Sequence, residues 1–206
     1  MKEERIFNIF HGRYAKPLGL KDVFSVLLPL IQVEGELCIL YEKRAESLRS
    51  QPNEISFPGG KIEPGESPKE AAIRETMEEL CIDQEHIQIL GEMDYLPGRD
   101  GRNIRCYVGR LINIELEEIK PNPGEVGQIF AVPLEFFWNK EPDEYSLKLS
   151  VDHSDDFPYE LIPGGKDYDW KKSIDTVYFY DYKKWIIWGF TAKMTKGFID
   201  ILKGKK

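Results

Sequence analysis

Residues 60–82 read GKIEPGESPKEAAIRETMEELCI, from Gly60 to Ile82. The second half of this stretch predicts a helix over Ser67 to Leu80. Ser67 and Glu70 stand at capping-box spacing, and Pro68 takes the first helical position, where its missing N–H costs nothing. Ala72, Ile73, Thr76, Met77 and Leu80 recur at helical spacing and form the expected buried face. Glu75, Glu78 and Glu79, at i, i+3 and i+4, fall on one side of the same helix and repel one another. A hard divalent cation among them would relieve the repulsion. An acidic triplet on a solvated helix face is common, so the helix alone does not make a site.

Working outward, Val23 to Ile31 and Leu37 to Tyr41 predict two strands joined by a turn at Glu34-Gly35. Ile55-Ser56-Phe57 is a third short strand that runs into a sharp turn at Pro58-Gly59-Gly60. Beyond the helix, Ile87 to Tyr95 and Ile104 to Leu111 predict strands around the polar loop Pro97 to Arg102, and Val126 to Val132 another. Trp185 to Trp188 leads into a closing helix over Thr191 to Leu202, with Phe198, Ile199 and Leu202 on one face. Ile6, Phe7, Ile9 and Phe10 suggest a packing helix ahead of Pro17-Leu18-Gly19. The stretch from Asp152 to Lys172 carries no motif, and the second PGGK word, Pro163 to Lys166, reads as a surface turn.

The chain has 206 residues, 41% hydrophobic and 31% charged, which suits one globular core and excludes disorder by composition. The 28 Lys and Arg against 36 Asp and Glu leave a net charge of −8, which argues against a broad nucleic-acid-binding face and permits a cation site. No apolar run approaches the roughly 20 residues that cross a bilayer. The N-terminus does not read as a signal peptide, and a cytoplasmic location is expected. Cys38, Cys81 and Cys106 are far apart and lack CxxC spacing; buried free thiols are expected rather than a zinc site or disulfides.

The spacing of Gly60, Glu66, Arg74-Glu75, Glu78-Glu79 and Ile82 resembles Gx5Ex7REUxEExGU, the box of the Nudix hydrolase family. The resemblance implies an α/β chain: an α/β/α sandwich with a mixed central sheet, one domain over 1–206, with 1–20 as an N-terminal helical extension and 191–206 as a C-terminal helix. It also implies a Mg2+ or Mn2+ cofactor. Glu75 and Glu79 match the main metal ligands, Glu78 and the Gly60 carbonyl the auxiliary ones. Arg74 matches the arginine that orients a carboxylate by charge-assisted hydrogen bonds, and Glu66 the loop acid. Splitting a pyrophosphate requires charge neutralised on its oxygens and a water held in line, which a carboxylate-held cation supplies. Two positions depart from the pattern. Thr76 fills the hydrophobic slot, and Cys81 stands where the family has glycine, just past the helix end, where a left-handed conformation costs other residues on the order of 1 kcal/mol.

Flanking segments resemble the coenzyme A pyrophosphatase branch of that family. Leu48-Arg49 and Ile55 to Lys61 match its LRxHxGqVxFPGGK segment, with Gln51, Asn53 and Glu54 replacing His, Gly and Gln. Asn122 to Val126, continuing to Val132-Pro133-Leu134, matches NPxEV…VPL, and Ile187 to Ala192 matches IWGxTA. The resemblance implies a small nucleotide substrate, coenzyme A or acyl-CoA, cut to 4'-phosphopantetheine and adenosine 3',5'-bisphosphate. Arg44, Arg49 and Lys61 are the expected phosphate-binding residues, with Arg99, Arg102 and Arg105 as further candidates beside an ordinary surface role. The box does not fix the general base. Glu78 and Glu125 are favoured, and Asp152, Asp155, Asp156 and His153 are alternatives. A lone loop histidine is more often surface decoration, the reading given to His11 and His86. Trp188 and Phe190 either stack on a base or pack in the core. Another nucleoside diphosphate derivative such as ADP-ribose, or a non-catalytic nucleotide-sensing module, are the competing readings; the intact Arg74, Glu75, Glu78 and Glu79 weigh against the latter. A homodimer is left open.

Overall fold

Period-two alternation builds the central sheet. In the computed structural model, which describes residues 3–13, 18–19, 22–97 and 102–205, β1 (Asp22–Val33) and β2 (Glu36–Arg44) form a hairpin. Its turn places Glu34 at φ 51° and Gly35 at φ 85°, the two positive φ values that match the twist of paired strands. Leu27, Ile31, Cys38 and Leu40 point to one face of the sheet, and Leu28, Leu30, Ile39 and Tyr41 to the other, so each face has its own apolar core.

Around this hairpin the sheet runs β3 (Ile55–Ser56), β2, β1, β6 (Arg102–Leu111), β5 (Ile87–Pro97). β4 (Gly59–Lys61) pairs with β1, and β7 (Val126–Pro133) with β2. β1 and β6 are parallel and the other pairs antiparallel, so the sheet is mixed as expected. The box helix, α2 (Pro68–Leu80), covers the Leu27 face. α3 (Leu134–Asn139) and α4 (Gly189–Leu202) lie over the Tyr41 face. α4 is pinned by two threonines: Thr191 Oγ1 donates to the Ile55 carbonyl at 2.9 Å, and Thr195 Oγ1 lies 2.9 Å from the Tyr41 hydroxyl.

Several expectations need correction. A second sheet, unpredicted in two of its strands, joins β8 (Asp143–Leu149), β9 (Ser173–Tyr182) and β10 (Trp185–Trp188). The N-terminal helix exists as α1 (Glu3–Phe10), but Ile6, Phe7, Ile9 and Phe10 are exposed, so it does not pack as expected. Leu202 is exposed at the end of α4, unlike Phe198 and Ile199. Cys38 and Cys106 are buried, whereas Cys81 is exposed. His86 is no decoration, since its Nδ1 lies 3.0 Å from the Ile112 carbonyl. His153 packs against Phe157, Tyr159 and Trp170 in an aromatic cluster within the β8–β9 connection. The second PGGK is a turn, with Gly164 left-handed before a short helical turn at Gly165–Asp167.

Candidate functional site

The box helix begins as its sequence dictates. Ser67 Oγ accepts the Glu70 N–H, and the Glu70 carboxylate accepts the Ser67 N–H at 2.8 Å. At the other end Cys81 adopts φ 51°, ψ 48°, the left-handed conformation expected where the pattern has glycine. The Glu79 carbonyl accepts the Asn122 N–H at 2.8 Å, which ties the helix end to the 122–125 turn.

Arg74 organises the loop before the helix. Its Nε and Nη2 fork onto the two Glu66 oxygens at 2.9 and 3.1 Å, while Nη1 reaches Glu75 at 2.9 Å and Glu78 at 3.2 Å. Nη2 also donates to the Lys61 carbonyl at 3.2 Å. The fork, with a further N–H from Glu63, holds the Glu66 carboxyl below the usual carboxylate range. Glu66 thus holds the loop through Arg74.

Glu79 is buried, only 4% exposed, and its Oε2 accepts the Gly59 N–H at 2.8 Å. Burial, then the charge of Glu42, push its carboxyl up to about 9 despite that hydrogen bond. Glu75, half-buried, is also raised by burial, against the pull of Arg74. Gly59 and Gly60, expected in a sharp turn, instead open strand β4, paired with Val26 and Ser25; a Cβ on Gly59 would strike the backbone of Ser25 and Val26, and one on Gly60 would meet the end of the Glu75 side chain. Glu125, held at the 122–125 turn and 3.5 Å from Asn122 Nδ2, adds its charge to Glu42, Glu75 and Glu79.

Glu42 is the residue that motif reading missed. It is 1% exposed, Oε1 accepts the Ser56 hydroxyl at 2.9 Å, and Oε2 has no partner. Burial raises its carboxyl to about 7, with Ser56 and Arg44 opposing the rise. The signal was its parity, because Glu42 is in phase with Cys38 and Leu40 and so faces the helix side of the sheet.

Among the described residues no three carboxylate, imidazole or thiol side chains are drawn into a finished metal cage. Glu79 is engaged by Gly59 and Glu75 by Arg74. The donor set still fits Mg2+ or Mn2+: hard oxygens, an orphaned buried carboxylate oxygen at Glu42, and mutual repulsion that only positive charge relieves. Glu75, Glu79 and the Gly60 carbonyl are the groups that could hold it. Glu78 lies outward, its side chain 54% exposed against Arg74.

Beside the two glycines of β4 opens a cleft of about 310 Å³, lined by Arg44, Arg102, Phe24, Ser56, Trp188 and Phe190 among others. Arg44 Nε has no hydrogen-bond partner there, and Arg102 stands over the Phe24 ring. Trp188 is 43% exposed, so the core reading of that residue gives way to a cleft wall. Two expected basic residues are elsewhere. Arg49 is exposed outside the cleft lining, and Lys61 turns to Asp22 at 2.5 Å. Arg105 pairs with Glu92; Arg99 lies outside the described residues. Asp152, Asp155 and Asp156 are exposed on the β8–β9 connection and are not among the principal charges acting on Glu75 or Glu79. A larger hollow of about 510 Å³ beside Glu66, Arg74 and Glu78 also carries Glu63 and Glu70. Four carboxylates against one guanidinium disfavour a diphosphate there.

The NUDIX domain family matches residues 21–150. The chain belongs to the Nudix hydrolase family. It is 33% identical over 170 residues to an uncharacterized Nudix hydrolase NudL of Photorhabdus laumondii, a match covering 82% of this chain and 78% of that one. It is 35% identical to Nudix hydrolase 3 of Caenorhabditis elegans, over 61% of this chain and 53% of that one. To a mouse peroxisomal coenzyme A diphosphatase it is 32% identical, over 65% of this chain and 56% of that one. The matched part thus spans about half the length of the worm and mouse relatives. A solved MutT/nudix family protein from Enterococcus faecalis shares the Nudix fold, with a TM-score of 0.52 and 15% identity across 98% of this chain and 70% of that one.

Proposed function

We propose that this Nudix chain is a divalent-metal-dependent diphosphatase that splits coenzyme A or acyl-CoA into 4'-phosphopantetheine and adenosine 3',5'-bisphosphate. The observation that carries the reading is the placing of the Glu75 and Glu79 carboxylates against Gly59 and Gly60 of β4, where the arginine-bearing cleft opens. The branch-like segments from Arg44 to Ala192 and the similarity to the mouse coenzyme A diphosphatase support the choice of substrate.

A bound Mg2+ or Mn2+ supplies charge neutralisation on the diphosphate and a more acidic attacking water. Glu75, Glu79 and the Gly60 carbonyl would hold it, and Arg74 orients Glu75 through their ion pair. Arg44 and Arg102 offer guanidinium donors to the substrate phosphates. Glu125 carries an acceptor beside the carboxylate group and is the proposed base for the water proton. Trp188 and Phe190 offer aromatic surface to the adenine.

Gln51 and the acidic Glu54, hydrogen-bonded at 2.9 Å in the cleft, stand where the branch has His and Gln and favour a second reading, a nucleoside diphosphate without a 3'-phosphate such as ADP-ribose. A substrate panel decides. The first reading expects kcat/KM highest for coenzyme A species. Faster hydrolysis of dephospho-coenzyme A or ADP-ribose rejects it and leaves the second.

A further inference from the structure

Glu42 lies outside the box and in none of the segments that suggested a substrate, yet no carboxylate of the group is more deeply buried. Its backbone is fixed on both sides, paired with Ser56 of β3 and Ile129 of β7. One oxygen accepts the Ser56 hydroxyl; the other is buried and meets no donor. Arg44, just past a bulge in the same strand, eases the burial by its charge but makes no hydrogen bond to it, and its own Nε is left without a partner. A buried carboxylate oxygen that has given up water without gaining a donor is costly. Its aim explains why it is kept. Glu42 is the strongest neighbouring charge on Glu79, and its own charge environment includes Glu75 and Glu125.

We propose that Glu42 is a carboxylate ligand of the divalent cation, reaching it from the sheet while Glu75 and Glu79 reach it from the helix. The proposal rests on the reading of this site as a cation centre. Among the described residues no three acidic side chains already form a cage, and a carboxylate fixed on a doubly paired strand offers the helix carboxylates an anchor.

The test is Mn2+ binding, read from the loss of the free Mn2+ paramagnetic resonance signal on the chelator-stripped full chain. Glu42→Gln keeps the size of the side chain and an acceptor for Ser56, and is expected to weaken Mn2+ binding about tenfold or more. Ser56→Ala leaves the carboxylate in place and is expected to stay within about threefold of the unaltered chain. Equal affinity in folded Glu42→Gln overturns the proposal, and so does an equal loss in Ser56→Ala, which would assign the effect to strand packing. If Glu42→Gln fails to fold by circular dichroism, Glu42→Asp replaces it, and unchanged affinity in that variant overturns the proposal as well. Absence of Mn2+ binding by the unaltered chain instead rejects the cation centre itself.

Discussion

Replacing Cys81 by glycine is predicted to stabilise the chain without changing its chemistry. Cys81 follows the last residue of the box helix at φ 51°, ψ 48°, with its N–H bonded to the Met77 carbonyl. A left-handed conformation costs an L-residue roughly 1–2 kcal/mol. Glycine removes that strain but gives back about 0.4–1 kcal/mol through a freer unfolded chain. The expected net gain is about 0.5–1 kcal/mol. The lost side chain weighs little, since it is exposed and its thiol makes only a 3.7 Å contact to the Glu78 carbonyl. For 206 residues, this corresponds to a melting temperature higher by about 1–4 °C. Calorimetry in chelator measures it, and kcat/KM with Mg2+ should stay within about twofold because no carboxylate is touched. A lower melting temperature would refute the strain argument. A raised melting temperature with lost activity would show that the thiol itself positions Glu79.

Glu79→Gln should keep the fold by circular dichroism while turnover falls about 10²-fold or more, because an amide cannot supply the ligand charge; wild-type turnover at saturating Mg2+ would remove Glu79 from the site. In chelator, stability should decline as pH rises from about 5 to about 9. Glu42 and Glu79 are raised to about 7 and about 9, so the folded chain retains protons that the unfolded chain releases near 4.3 and folding weakens through that window. Urea midpoints across the window check this, saturating Mg2+ should flatten the slope, and a rise in stability with pH would contradict the assignment. Arg44→Ala should raise KM about tenfold while Arg49→Ala changes it less than about twofold; the opposite order would move phosphate binding to the 45–53 loop.

Local chemistry made the box helix readable: capping pair, Pro68, apolar spacing and even the strained position of Cys81 all lie within some fifteen residues. The strands β1, β2, β3, β5, β6 and β7 and the β1–β2 turn were equally plain, whereas β4 read as a turn because its glycines signal one. Glu42 was not, because its role depends on which face of β2 the helix covers, a fact set by contacts far away in sequence. Arg44 and Arg49 share one matched segment, and only the course of the turns at 45–53 sends the first to the cleft and the second outward. β8 does carry a strand signal, with Tyr145, Leu147 and Leu149 alternating, but its side chains are almost all exposed and no motif draws attention to it. The stripe on α1 misled because amphipathic spacing describes a helix without supplying the surface that buries it.

The most direct test of the central claim is mass analysis of coenzyme A incubated with the full chain and Mg2+, run beside the same mixture with chelator. The account predicts equal amounts of 4'-phosphopantetheine and adenosine 3',5'-bisphosphate with Mg2+ and neither with chelator. Intact coenzyme A, or dephospho-coenzyme A from loss of the 3'-phosphate alone, would contradict it.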